Sequence, residues 1–163
     1  ANAMIARTKA ILGARDGRYE EAAAQAEKCI ARHPANGGCH LALGKALGSK
    51  AVAGGITSAI GYAGTIRDSF KKAVELNPRD YEARFALLDY YMMAPFIVGG
   101  GDSKAKALAR ETASLNAEAA KLMSVSLDLK DDNVARAEAG ALAIKPGADD
   151  AIEQRRLHGP CGL

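Results

Sequence analysis

Tryptophan is absent from this chain, and Phe and Tyr together supply only 5% of its residues. A core of ordinary size must therefore be aliphatic, and Ala and Leu are the main residues available for it. Alanine loses no side-chain entropy on entering a helix, so this composition favours closely packed helices. Alternating runs of β-branched residues are also missing, which excludes a sheet as the main architecture. The longest apolar stretches, such as Tyr90 to Val98, are interrupted by Pro95 and fall far short of a membrane span. Neither sign of charge dominates: 22 Lys and Arg against 19 Asp and Glu give +3, dispersed along the sequence. That lacks the basic stripe a nucleic-acid binder needs. Histidine is scarce as well, with His33 at a helix end, His40 at a core-like position and His158 near the end. No Ser-His-Asp or Cys-His arrangement can be assembled from them. Glu20-Glu21 and Asp131-Asp132 read as helix-end or solvent charges. No catalytic residue, metal site or cofactor is expected, and the chain reads as a non-enzyme.

What is present is a periodic pattern. Ala22-x3-Ala26-x2-Cys29 precedes His33-Pro34, Ile66-x3-Phe70-x2-Ala73 precedes Asn77-Pro78, and Val134-x3-Glu138-x2-Ala141 precedes Lys145-Pro146. A fourth segment, Ala105-x3-Ala109-x2-Thr112, runs to Asn116-Ala117 without the proline. Positions three and four apart share one helical face, so each segment carries a packing stripe. Proline then forces a stop. A second helix type alternates with these, clearest in His40-x2-Leu43-Gly44-x2-Leu47 and weaker in Arg84-x2-Leu87-Leu88-x2-Tyr91. Gly44 would let a neighbouring helix approach closely. The patterns predict helices near 2–14, 18–32, 37–51, 58–76, 79–93, 102–115, 117–129 and 132–144, with a short one near 148–157. Asp102 and Ser103 suit an N-cap.

Taken together, His40, Leu43, Gly44 and Leu47, followed by Ile66, Phe70, Ala73 and Pro78, resemble the tetratricopeptide repeat, in which a large-x2-Leu-Gly-x2-Tyr helix precedes an Ala-x3-Phe-x2-Ala-x4-Pro helix. The resemblance covers about residues 4 to 146. It implies an all-α fold, a right-handed superhelical stack of about four antiparallel helix pairs, in one domain over residues 1–157 with a tail at 158–163. The chain departs from the family in spacing. Pro34 to Pro78 and Pro78 to Ala117 exceed the usual repeat of about 34 residues, and Ala117 to Pro146 falls below it. His40 and Glu138 stand where aromatic residues are common.

The extra residues fall between paired helices. One insertion runs from Gly48 to Gly64, the other from Ala94 to Gly101. In the second, Phe96, Ile97 and Val98 are apolar loop residues. They either fold back over the core or form a binding site for a partner. Gly99-Gly100-Gly101-Asp102-Ser103-Lys104 has glycines before a helix, yet it misses the spacing of a phosphate loop, and Asp102 would repel phosphate. Cys29 and His33 share a helical face, but Cys39 and His40 are adjacent and point about 100° apart, which disfavours zinc. Cys29 and Cys39 lie near the facing ends of two antiparallel helices, which allows a disulfide if the compartment is oxidising. Cys161 is left over in the tail. The compartment is otherwise open. The first residues do not read as a secretory signal, and the Ala1-Asn2-Ala3-Met4 start fits a tag remnant or the remainder of a longer chain.

In tetratricopeptide proteins the first helix of each pair lines the concave face, and two of its positions are frequent ligand contacts. The resemblance carries these onto Arg7 and Ile11, Leu41 and Lys45, and Phe85 and Asp89. Phe85 and Asp89 contradict the basic clamp that grips chaperone tails. The mixed groove would suit an extended or helical peptide. The expected function is therefore a scaffold for a protein or peptide partner, without nucleic acid and without spanning a membrane. The alternative is a small-molecule-binding accessory subunit, for example of a transporter, with the 95–101 loop covering a pocket.

Overall fold

The computed structural model describes residues 17–144, and seven α-helices account for most of them. They are α1 (Tyr19–Arg32), α2 (Gly37–Ala53), α3 (Gly55–Leu76), α4 (Tyr81–Met93), α5 (Asp102–Ala113), α6 (Ala117–Lys130) and α7 (Val134–Leu142), with a 3-10 turn at Phe96–Val98. No strand occurs among the described residues, so the all-α expectation holds. The helices expected near 2–14 and 148–157, with Pro146, His158 and Cys161, lie outside the described residues. The chain forms two compact units, Ala1–Leu87 and Leu88–Leu163, and the division falls within α4.

In the first unit α2 packs on both α1 and α3. Three of the four predicted stripes are buried as the periodicity requires, and two belong here: Ala22, Ala26 and Cys29 on α1, and Ile66, Phe70 and Ala73 on α3. Gly37 and Gly44, two turns apart on α2, lie against Ala73 and Phe70 of α3. A Cβ at Gly44 would sit 2.6 Å from Phe70 Cδ1, so only glycine lets the two axes come this close. Residue pairing runs antiparallel in both hairpins. Cys29 meets Cys39 and Glu20 meets Lys50 across α1 and α2, while Lys50 lies over the Tyr62 ring across α2 and α3.

In the second unit α6 packs on α5 and α7. Ala105, Leu108, Ala109 and Thr112 bury one face of α5 against Ala119, Leu122, Met123 and Leu127 of the same unit's core. Asn116 caps α6, its side chain accepting from the N–H groups of Glu118 and Ala119 at 2.9 and 3.1 Å. Asp102 pairs with Lys130, and Asp128 with Arg136 at 2.7 Å, which stitches both hairpins at their ends.

Two local expectations fail. The fourth stripe is not a buried face: Val134 is 58% exposed, Glu138 and Ala141 are exposed, and Ala137 and Ile144 are buried instead. A charge at position 138 cannot enter an aliphatic core, so α7 turns Ala137 inward. Asp102 is also not a cap. It is the first residue of α5, Gly101 precedes it as the N-cap without a side-chain bond, and its carboxylate goes to Lys130.

The insertions behave differently from each other. Gly48 to Gly64 forms almost no loop. Instead α2 runs on to Ala53 and α3 starts at Gly55, with Gly54 as the single joint. Ala94 to Gly101 remains non-helical apart from its 3-10 turn.

Candidate functional site

The Ala94–Gly101 segment is held by main-chain bonds throughout. Pro95 ends α4, and its carbonyl accepts from the N–H groups of Val98 and Gly100, both at 3.1 Å. Gly99 N–H donates to Phe96 O at 2.9 Å and Gly101 N–H to Tyr91 O at 2.8 Å. Two side chains close the turn from outside. Tyr90 Oη donates to the Val98 carbonyl at 2.7 Å, and Lys104 Nζ to the Gly99 carbonyl at 2.9 Å. Gly99 and Gly101 have φ of +93° and +126°, values that favour glycine. Gly100 is required for a different reason: a Cβ there would lie 2.5 Å from the Ala94 carbonyl carbon and closer still to its oxygen.

This hydrogen-bonded turn displays Phe96 and Ile97 at 80% and 86% exposure, with Val98 half-buried and Met93 beside them in sequence at 78%. Lys104 Nζ lies 5.9 Å from the centre of the Phe96 ring, within reach of a cation–π contact. Phe96 and Ile97 therefore do not fold back over the core. The same bonds explain why the three glycines form no anion cradle. Their N–H groups are all taken by chain carbonyls, and the Asp102 carboxylate stands at the helix start. That carboxyl is held below its ordinary value chiefly by the hydrogen bond from Lys130.

The concave-groove residues are placed less openly. Arg7 and Ile11 lie outside the described residues. Leu41 and Phe85 are 0% and 4% exposed, so both side chains belong to the core. Lys45 is half-buried and pairs with Glu82, an ion pair that ties α2 to α4. Asp89 is half-buried on α4. Neither Leu41 nor Phe85 therefore offers an open contact surface.

Cys29 and Cys39 are joined by a disulfide with a Cα–Cα distance of 5.6 Å, and both are buried. Among the described residues no group of three or more His, Cys, Asp or Glu is placed to hold a metal ion. His40 is occupied elsewhere, its Nε2–H donating to the Pro34 carbonyl at 3.0 Å. Arg84 repeats this contact one helix pair later, its Nε–H donating to the Pro78 carbonyl at 2.6 Å while the side chain is only 1% exposed. Each donor lies six residues after the proline it reaches. The repeat spacing pointed to these positions, yet nothing in residue type marked Arg84 as core.

A groove of about 650 Å³ lies along α5, α6 and α7, floored by small residues such as Ala109, Ala120 and Gly140. A second hollow of about 590 Å³ lies at the His33–Gly38 and Leu76–Asp80 turns. No residue of the 95–101 loop lines either.

No protein-family model matches the chain, and neither the curated proteins nor the solved structures compared with it gave a match.

Proposed function

We propose that this chain is a non-enzymatic scaffold of tetratricopeptide-like helix pairs, stacked in a right-handed superhelix, that binds a protein or peptide segment through the Pro95–Gly101 turn. The observation that carries the reading is the exposure of Phe96 and Ile97 on a turn whose backbone is hydrogen-bonded. Large apolar side chains held in water on a hydrogen-bonded turn make a pre-ordered contact, because binding costs them little further entropy. Aromatic anchors of this kind tend to dominate interface energetics. The repeat frame is supported by the congruent His40–Pro34 and Arg84–Pro78 bonds, by the close Gly44–Phe70 approach, and by the Lys45–Glu82 link between first helices of successive pairs.

The small-molecule reading needs the 95–101 loop to cover a pocket, and the cavities along α5–α7 and at the two turns give it no support. Partner capture distinguishes turn from groove. The double substitution Phe96→Ser, Ile97→Ser is expected to lower partner affinity by tenfold or more, on the order of 1.4 kcal/mol or above. Lys45→Glu is expected to change it little. Equal capture by the double variant and the unaltered chain would discard the turn as the contact surface.

A further inference from the structure

The second exposed apolar surface is the end of the α2–α3 hairpin. Val52 is 78% exposed, Ile56 77% and Ile60 59%. Ile56 and Ile60 are one helical turn apart, on one face of α3. From Ala51 to Ile66 the sequence carries no charged residue, and the first charges on either side are Lys50 and Arg67.

We propose that this hairpin end docks shallowly on an anionic lipid surface, with Val52, Ile56 and Ile60 seated just beneath the headgroups. Transfer of exposed aliphatic side chains out of water is the driving force. The base of the end has the composition of an interfacial belt, with Lys50 Nζ 4.9 Å from the centre of the Tyr62 ring. Lys50 and Arg67 are each paired, with Glu20 at 3.3 Å and Asp68 at 2.9 Å, so the attraction does not come from those two alone. It comes from the unit that carries the hairpin. Among the described residues, 17–87 hold 10 Lys and Arg against 7 Asp and Glu, a net +3, whereas 88–144 hold 6 against 8, a net −2. Anionic lipid attracts the first and repels the second. The same +3 opposes a second copy meeting at this end.

The depth follows from the backbone. α3 begins with no side-chain cap and no acidic residue in its first turn. Its leading N–H groups find phosphate and water acceptors at headgroup level and none in hydrocarbon. No helix among the described residues is long and apolar enough to cross a membrane, which agrees with docking at the surface.

The absence of Trp supplies the test. Ile56→Trp places a single indole on the hairpin end, and Phe96→Trp places one at a similarly exposed position in the other unit. With vesicles of equal phosphatidylglycerol and phosphatidylcholine, emission from the Ile56→Trp chain is expected to move to shorter wavelength while that from Phe96→Trp stays put. Ile56→Asp is expected to lower vesicle co-sedimentation of the full chain by more than about tenfold, with an unchanged helical circular dichroism spectrum, because one fully buried Ile is worth at least that factor. No shift on adding vesicles, equal shifts from both indoles, equal binding to pure phosphatidylcholine, or undiminished sedimentation of Ile56→Asp would each overturn the proposal. So would a shift that follows protein concentration without lipid, since a second copy would then cover the end.

Discussion

The two glycine-rich insertions are built from similar residues and have opposite outcomes. Between α2 and α3 the insertion became helix. A Cβ on Gly48, Gly61 or Gly64 would meet nothing within 4 Å, so these glycines fill ordinary helical positions without a packing reason. Only the Gly54 joint breaks the chain there, with Gly55 at φ +72°. Between α4 and α5 the insertion stayed a turn. Pro95 removes an N–H donor and fixes its own φ, and every glycine after it is needed for positive φ or for lack of space. Glycine need not end a helix, since Gly48, Gly61 and Gly64 continue one. The breaks fall where glycine takes a positive φ, at Gly55 in the first insertion and at Gly99 and Gly101 after Pro95 in the second.

The comparison can be broken most directly with one type of substitution in both places. Gly100→Ala forces a Cβ into the Ala94 carbonyl and is expected to cost about 3 kcal/mol, near the upper end for overpacking. Urea denaturation measures it, and an unchanged midpoint would show that the turn can open without loss. Gly61→Ala with Gly64→Ala should have the opposite sign. Each is expected to stabilise by about 0.5–1 kcal/mol, because alanine restricts the unfolded chain and fits the helix. A loss of stability would mean that the α3 extension is not helical in solution.

The smallest expected effect concerns the ion pairs flanking the two insertions. Glu20 is held below its ordinary value first by a backbone hydrogen bond at the start of α1 and then by Lys50. Asp102 is held down chiefly by Lys130. Depressed carboxylates contribute stability that is complete above their ordinary values of 4.5 and 3.8 and is lost as pH falls through the lower folded values. Lys50 is raised, mainly by hydrogen bonding to Tyr62 and then Glu20, so its contribution is complete below 10.5 and is lost as pH rises through the higher folded value. Glu20 and Asp102 are exposed and Lys50 is half-buried beside exposed Glu20, so added salt should shrink both slopes. Melting temperatures across pH at two salt concentrations check this. Asp102→Asn should remove part of the acid slope and leave the alkaline slope intact.

Much of the helix order was legible in residue pattern, since a stripe of small and aliphatic residues can be satisfied only by burial. Ala26, Cys29, Phe70, Ala73, Ala109 and Thr112 all read correctly as inward-facing. Arg84 did not, because a guanidinium becomes a core group only when a carbonyl stands within reach, and the Pro78 carbonyl is brought there by the turn. The candidate site was legible as an odd loop but not as an exposed one. Apolar residues in a loop usually cover a core, and their direction depends on bonds from Tyr90 and Lys104, several residues away.

By itself, the sequence determined the all-α class, the helix order and three of the four buried stripes, because those follow from periodicity and local hydrogen bonding. Tertiary structure alone decided which apolar residues meet water. Leu41 and Phe85 sank into the core, while Ile56, Phe96 and Ile97 remained outside it. Hydrophobicity is a property of one residue, whereas burial needs a second surface to lie against, and only the packed chain supplies that surface or withholds it.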